Sequence, residues 1–237
     1  MTENFVIICT IGRTGSSLLI NILNHLESTC FCGELIGENA LLKLRNKEKI
    51  TYEDLRISTY DSFHLKKINT RGNQYYCPKN CLFTKLTPND ISEKLLKANN
   101  AKDVLNTLLN SDSKTKGFKV LIGPYQLSKI INSSELKFCK FILLIRQNGL
   151  KESLIRGNFQ IYENSNLAKE STEKYIQFYN ENKNNKNIHL LSYEDITEKN
   201  ENFKKIIQKI GCKYDEEKIE LACKTKCSYN QRANLKI

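Results

Sequence analysis

The chain has 237 residues, of which 40% are hydrophobic, and this is enough to bury the core of one α/β domain. No apolar run approaches the roughly 18 residues needed to cross a bilayer. The first apolar segment is not preceded by the basic region of a signal peptide, so we expect a cytoplasmic protein. The net charge of +11 suggests an anionic partner. We expect no nucleic-acid partner, because aromatic residues do not alternate with arginines along adjacent strands.

Residues 5–19, FVIICTIGRTGSSLL, predict a strand that leads through a tight turn into a helix. The apolar residues at its start are typical of a strand that is buried on both faces of a parallel sheet. Two glycines, Gly12 and Gly15, permit a sharp turn whose backbone comes close to a ligand. Two serines, Ser16 and Ser17, would then open the helix, whose unpaired N–H groups attract anions. This segment therefore predicts a phosphate-binding loop.

The rest of the chain alternates between strand-like and helix-like segments, which predicts an α/β fold with three layers and a central, mostly parallel sheet. Further strands are expected over residues 29–32, 118–122, 138–145 and 188–192, and helices over residues 18–26, 39–45, 91–109, 126–131, 150–162, 170–182 and beyond residue 195. Residues 47–80 are polar and lack periodicity, so we expect them to form a lid or a loosely packed segment, in which substrate specificity could reside. We expect residues 1–237 to form a single domain.

A second cation follows the strongest of the later strands. Arg146 comes directly after the apolar residues FILLI. Ligands of open parallel sheets bind at the carboxyl ends of the strands, so we expect Arg146 to lie on the same rim as Arg13 of the first turn. Two cations would then face one ligand.

The first turn differs from two common phosphate-binding motifs. The loop of nucleoside triphosphatases, G-x-x-x-x-G-K-[ST], requires a Lys that does not follow Gly15 here, and the dinucleotide pattern G-x-G-x-x-G is absent. Residues 13–19, RTGSSLL, resemble instead the 5′-phosphosulfate loop of sulfotransferases, which is some variant of [KR]-[ST]-G-[ST]-[ST]-x-L after the first strand. They fit this pattern at every position.

Later segments resemble the same family in the same order. These are GFKV at residues 117–120, Arg146 at the family's 3′-phosphate site, LLSYEDI at residues 190–196, and, more loosely, KCS at residues 226–228 with Arg232. The family also carries a Ser about eight residues after the arginine. Ser153 comes one residue early, so the backbone N–H groups of the turn and the Asn148 side chain are alternatives to it.

The resemblance implies transfer of a sulfuryl group from 3′-phosphoadenosine 5′-phosphosulfate (PAPS) to a hydroxyl or amine of a carbohydrate, glycolipid or small-molecule acceptor, with no metal. The residues implied to bind PAPS are Gly12, Arg13, Thr14, Gly15, Ser16, Ser17, Arg146, Ser153 and Arg232. Catalysis is implied for Arg13 and for Glu34, which belongs to a G-E element that enzymes acting on glycolipids carry after the second strand. Glu34 would be the base, and Glu38, His64 and His25 are alternatives.

Several interpretations stay open at this point. Glu34 equally fits a carboxylate at a helix N-terminus without a catalytic role. Tyr193 and Glu194 are interpreted as a structural strand end, with Asp195 capping the next helix. A P-loop-type kinase and a noncatalytic polyanion-binding protein are the alternative functions. Nine cysteines with irregular spacing favour reduced, buried thiols over a metal site, and nothing in the sequence indicates the oligomeric state.

Overall fold

A computed structural model describes residues 3–55, 87–109, 112–148 and 165–224. Its strands are β1 (Asn4–Thr10), β2 (Thr29–Cys32), β3 (Thr115–Leu121), β4 (Cys139–Ile145) and β5 (Ile188–Ser192). They form one sheet in the order β2-β3-β1-β4-β5, and every neighbouring pair is parallel. The predicted α/β class with a mostly parallel sheet is confirmed.

Helices cover both faces of this sheet. In the described ranges they are α1 (Ser16–His25), α2 (Glu38–Arg45), α3 (Pro88–Lys97), α4 (Ala101–Leu108), α5 (Leu127–Ile131), α6 (Ser165–Glu181), α7 (Tyr193–Glu198), α8 (Glu201–Lys209) and α9 (Glu216–Lys224), with 3₁₀ turns at Tyr52–Asp54, Pro124–Gln126 and Ser134–Leu136. Successive residues of β1 enter opposite cores: Ile7 packs with residues of α2 to α6, and Ile8 packs with residues of α1 and α7 to α9. This is the predicted three-layer arrangement.

The bounds of β2 and β5 are those that the sequence predicts, whereas β3 begins three residues earlier than expected. The early part of β3 contains Lys116, a residue type that rarely lies inside a sheet. Its ammonium group pairs with Glu3 at 2.8 Å and lies 5.5 Å from the centre of the Phe5 ring. These partners allow the lysine to be buried. The hydrophobicity pattern of the sequence does not reveal them, so the start of the strand was predicted too late.

The structure divides one predicted helical segment and does not describe another. The segment predicted as one or two helices over residues 91–109 is α3 followed by α4, and the break lies at Asn100, whose side chain accepts the Asp103 N–H at the start of α4. The helix predicted over residues 150–162 lies outside the described residues. So does most of the polar segment over residues 47–80, of which the described part ends at Leu55.

The order of the strands defines where a ligand can bind. The chain leaves β1 for β2, returns to β3 beside β1, and then crosses to β4 on the other side of β1. Because the connections on the two sides of β1 run in opposite directions, a crevice opens at its carboxyl end. The residues that follow β1, β3 and β4 therefore share one rim.

Helix α7 starts directly at the end of β5 because a capping box closes the junction. The Ser192 hydroxyl accepts the Asp195 N–H at 3.0 Å, and the Asp195 carboxylate accepts the Ser192 N–H at 2.8 Å. Asp195 therefore takes part in capping the helix as predicted, but from the third helical position, and the N-cap residue is Ser192. Burial alone would raise the pKa of Asp195, but hydrogen bonds from Ser192, Asn200 and Asn202 outweigh it and lower the pKa.

His189 in β5 makes the stability of the protein sensitive to acid. The side chain is buried, and its Nε2 has no hydrogen-bond partner within the described part of the chain. Burial, followed by the positive charges of Lys209 and Lys140, lowers the pKa of His189 from 6.5 to about 4. The folded protein therefore binds this proton less readily than the unfolded chain, so the free energy of unfolding falls as the pH drops from about 6.5 to about 4.

We expect urea denaturation to show a loss of about 2–3 kcal/mol over that pH interval. His189→Leu should remove most of this loss, because the variant has no imidazole at position 189 whose pKa differs between the folded and unfolded states. The comparison is between the slopes of stability against pH for the two proteins. The same slope in the variant and in the natural chain would contradict the assignment to His189.

Candidate functional site

The turn between β1 and α1 has the backbone of an anion-binding loop. We call residues 12–17 the anion loop. Three of its residues have positive φ angles: Gly12 (94°), Arg13 (53°) and Gly15 (85°). Gly15 is the N-cap of α1 and Ser16 its first residue, so the helix begins two residues before the predicted start. The N–H groups of the first turn of α1 are thereby directed at the rim where Arg13 lies.

Thr14 stabilises the anion loop from the inside. Its side chain is buried, and its hydroxyl is hydrogen-bonded to the hydroxyl of Thr10 at the end of β1. The Thr10 hydroxyl also accepts the Gly12 N–H at 3.4 Å. The predicted role of Thr14 in binding PAPS therefore rests on its backbone amide and not on its hydroxyl. Ser16 is also buried, whereas Ser17 is half-buried.

Arg146 follows β4, one strand away from the anion loop. In the register of the sheet Thr10 lies beside Leu144, so Arg146 is at the height at which the loop begins. The Arg146 Nε donates a hydrogen bond to the Asn148 carbonyl at 2.8 Å, and its guanidinium lies 4.4 Å from the centre of the Tyr193 ring. The side chain is thus held in one orientation by two contacts.

Tyr193 also touches the anion loop. A Cβ atom on Gly15 would overlap Cδ2 of the Tyr193 ring and would lie 3.0 Å from its Cε2, so the ring occupies the space that any other residue at position 15 would need. Tyr193 is the first residue of α7 and follows β5, which neighbours β4. One aromatic ring therefore contacts both the loop and Arg146.

Glu194 binds the turn that follows β4. Its carboxylate accepts the Gln147 N–H at 3.3 Å and the Asn148 N–H at 2.9 Å. Two of the backbone N–H groups that are alternatives to Ser153 therefore already donate to a carboxylate, while the turn beyond Asn148 lies outside the described residues. The structural interpretation of Tyr193 and Glu194 is thus given specific contacts, with Arg146, Gly15 and the turn after β4.

A cavity of about 440 Å³ opens on the Glu194 side of this turn. Its wall includes three carboxylates, Glu194, Asp195 and Glu198, together with Asn148 and Asn200. Such a wall repels a phosphate group. Neither Arg146 nor the anion loop contributes to this wall, so an anion held by Arg146 would lie outside this cavity.

Glu34 lies beyond the end of β2, on the other side of β1 from Arg146. Its carboxylate forms an ion pair with the Lys119 ammonium at 3.2 Å, and both side chains are largely buried, with exposures of 14% and 6%. Lys119 is a residue of β3, the strand between β2 and β1. Lys119 belongs to the GFKV segment of the resemblance, but no role in the site was predicted for it. Its position near the end of a strand on this rim was the signal that could have identified it.

The remaining candidates for the base lie in different places. Glu38 begins α2 and accepts the Gly123 N–H at 2.7 Å, which ties α2 to the turn after β3. His25 is in the last turn of α1, where its Nδ1 is hydrogen-bonded to the Asn21 carbonyl. It therefore lies at the far end of the helix, about 14 Å along the axis from Ser16. His64, along with the predicted ligands Ser153 and Arg232, falls outside the described residues.

Six of the cysteines are described: Cys9, Cys30, Cys32, Cys139 and Cys212 are buried, and Cys223 is exposed. Burial raises the pKa of Cys212 to about 12. In the described ranges no three His, Cys, Asp or Glu side chains are grouped so that they could hold a metal ion. None of the helices in these ranges has the length and apolar character that crossing a membrane would require.

The chain matches no protein-family model and no curated protein. Among solved structures it is similar to the sulfotransferase domain of the olefin synthase of Synechococcus PCC 7002, with 18% identity over 97% of this chain and 80% of that one and a TM-score of 0.59. The mouse sulfotransferase SULT7A1 complexed with PAP is matched with 14% identity, coverage of 98% and 67%, and a TM-score of 0.45. Retinol dehydratase in complex with androsterone and the inactive cofactor PAP is matched with 13% identity, coverage of 94% and 64%, and a TM-score of 0.40.

The first of these likenesses shows the fold. The chain has a fold like that of the sulfotransferase domain, built here on a five-stranded parallel sheet.

Proposed function

We propose that this protein is a sulfotransferase that uses PAPS as the sulfuryl donor. The observation that carries the proposal is the pair of cationic positions on one rim: the anion loop with Arg13, and Arg146 on the neighbouring strand, with the Tyr193 ring in contact with both. Two fixed positive sites suit a ligand that carries two anionic groups on one ribose. The fold shared with a sulfotransferase domain supports the same conclusion.

In this proposal the anion loop holds the 5′-phosphosulfate. The N–H groups at the start of α1 and the Arg13 guanidinium would bind the 5′-phosphate and its bridging oxygen, where negative charge accumulates as the sulfuryl group leaves. Arg146 would bind the 3′-phosphate. Ser153 and Arg232 remain proposed ligands of the same co-substrate.

The reaction is an in-line transfer that needs no covalent intermediate. The acceptor oxygen or nitrogen attacks the sulfur, the bond between sulfur and the bridging phosphate oxygen breaks, and that electron pair remains on the phosphate. The acceptor proton passes to Glu34 as general base. The products are the sulfated acceptor and adenosine 3′,5′-bisphosphate. Lys119 orients the Glu34 carboxylate through their ion pair.

The acceptor would lie on the β2 and β3 side of the rim, next to Glu34. A hydroxyl or amine of a carbohydrate, glycolipid or small molecule fits this chemistry. Five of the described cysteines are buried, which is compatible with a cytoplasmic location, and we also propose that location.

Ligand-dependent thermal melting tests the proposal against its two alternatives. Adenosine 3′,5′-bisphosphate at a hundred times its Kd should stabilise the protein by about 2.7 kcal/mol, seen as a higher Tm, while ATP with Mg²⁺ should have a much smaller effect. Stabilisation by ATP with Mg²⁺ alone would overturn the proposal in favour of a kinase. Binding of heparin with a steep salt dependence, without any effect of the bisphosphate, would favour a polyanion-binding protein.

A further inference from the structure

The contacts of Tyr193 link two parts of the rim that are separate in the sequence. One edge of its ring lies against Gly15 of the anion loop, and the Arg146 guanidinium lies over the ring. The ring therefore occupies the space between the two cationic positions. Its own placement is fixed, because the capping box of Ser192 and Asp195 sets the first turn of α7 on the end of β5.

Glu194 restrains the same region through the backbone. Its carboxylate accepts the N–H groups of Gln147 and Asn148 and so restrains the turn that begins at Arg146. Asn148 in turn accepts the Arg146 Nε–H through its carbonyl oxygen. The guanidinium is thus restrained from two directions, by the turn beneath it and by the ring beside it.

We propose that Tyr193 and Glu194 are positioning residues that set the distance between Arg146 and the anion loop, so that the site selects nucleotides with phosphates at both the 3′ and the 5′ positions. This inference rests on the proposed function. The physical reason is preorganisation: an arginine that is already immobilised loses less conformational freedom when it binds a phosphate. The N–H groups of Gln147 and Asn148 already donate to Glu194. The preference for a nucleotide with a 3′-phosphate over one without it therefore depends on the orientation of the Arg146 guanidinium.

The test measures the Kd of the full chain for two probes by calorimetry. Adenosine 3′,5′-bisphosphate carries both phosphates, and adenosine 5′-phosphate lacks the one that Arg146 would bind. Tyr193→Leu should weaken binding of the bisphosphate about tenfold and change binding of the monophosphate less than about twofold. Tyr193→Phe, which retains the ring, should restore the selectivity of the natural protein.

Tyr214→Leu is the matched control, because Tyr214 also has a cation over its ring, Lys204 at 5.7 Å, but belongs to the segment between α8 and α9. It should leave the ratio of the two dissociation constants unchanged. If Tyr193→Leu weakened the binding of both nucleotides equally, the inference would be overturned, since the ring would then act on the nucleoside or on the fold as a whole. An unchanged ratio in Tyr193→Leu would overturn it as well.

A second variant keeps the inference falsifiable if Tyr193→Leu folds poorly. Glu194→Ala should accelerate hydrogen exchange at the Gln147 and Asn148 amides and lower the selectivity for the bisphosphate. Faster exchange with unchanged selectivity would remove Glu194 from the inference. If the natural protein binds neither probe, the proposed function itself fails, which is a different result.

Discussion

Replacing Arg13 with alanine is expected to abolish measurable binding of adenosine 3′,5′-bisphosphate. Arg13 is the cation within the anion loop, and its backbone has the left-handed conformation that the loop requires. Charge-assisted hydrogen bonds to a phosphate contribute about 1.5–3 kcal/mol each, so the loss of two of them corresponds to at least about a hundredfold in Kd. Titration calorimetry on the purified chain measures this directly. Arg146→Ala should also weaken binding strongly, to about the affinity for adenosine 5′-phosphate, because the 3′-phosphate then has lost its cation.

Arg45→Ala provides the matched control for Arg13→Ala. Arg45 is exposed in the last turn of α2, so its replacement removes the same charge from the protein without touching the anion loop. This variant should bind the bisphosphate within about twofold of the natural protein, because exposed charges at a distance are screened by salt. Equal affinities of the Arg13→Ala and Arg45→Ala proteins would show that Arg13 is not a ligand of the phosphate.

The second large effect is expected for the base. Glu34→Gln should lower kcat by about 10²–10⁴ while leaving the affinity for adenosine 3′,5′-bisphosphate unchanged, because a general base acts in the transition state and does not bind the donor. Initial rates of sulfuryl transfer from radiolabelled PAPS to a panel of hydroxyl and amine acceptors give the first quantity, and calorimetry gives the second.

Glu34→Gln also weakens the ion pair with Lys119, and this effect needs its own control. Glu3→Gln weakens a similar pair, with Lys116 of the same strand, at the opposite end of the sheet. The Glu3 variant should keep its turnover, which separates the loss of a base from the loss of an ion pair. Full turnover in Glu34→Gln together with a large loss in Glu38→Gln would move the assignment to Glu38.

The sequence predicted those parts of the fold that hydrophobic runs encode. β1 and β4 are continuous apolar segments, and they were recognisable because both faces of a parallel sheet are buried. The start of β3 was missed because it contains Lys116, which is buried with Glu3 as its partner. Glu3 is more than 80 residues away in the chain, and no local pattern encodes such a pair.

The candidate site likewise contains residues that the sequence predicted and residues whose roles it did not reveal. The anion loop was predictable because its glycines, serines and arginine are consecutive. The roles of Tyr193 and Glu194 depend on contacts with residues that precede them by 45 positions or more. A signal was nevertheless present: residues that follow β5 end on the same rim as Arg146, and the rule that placed Arg146 there applies to them equally.

The central position of β1 divides the two substrates between the two halves of the sheet. Arg146 and Tyr193, which the proposal assigns to the donor, follow β4 and β5, whereas Glu34 and Lys119, assigned to the acceptor, belong to the side of β2 and β3. A chimera that exchanges the β2 and β3 half for that of another such protein would keep its donor site intact. Acceptor preference can therefore diversify while the use of one common donor is inherited unchanged.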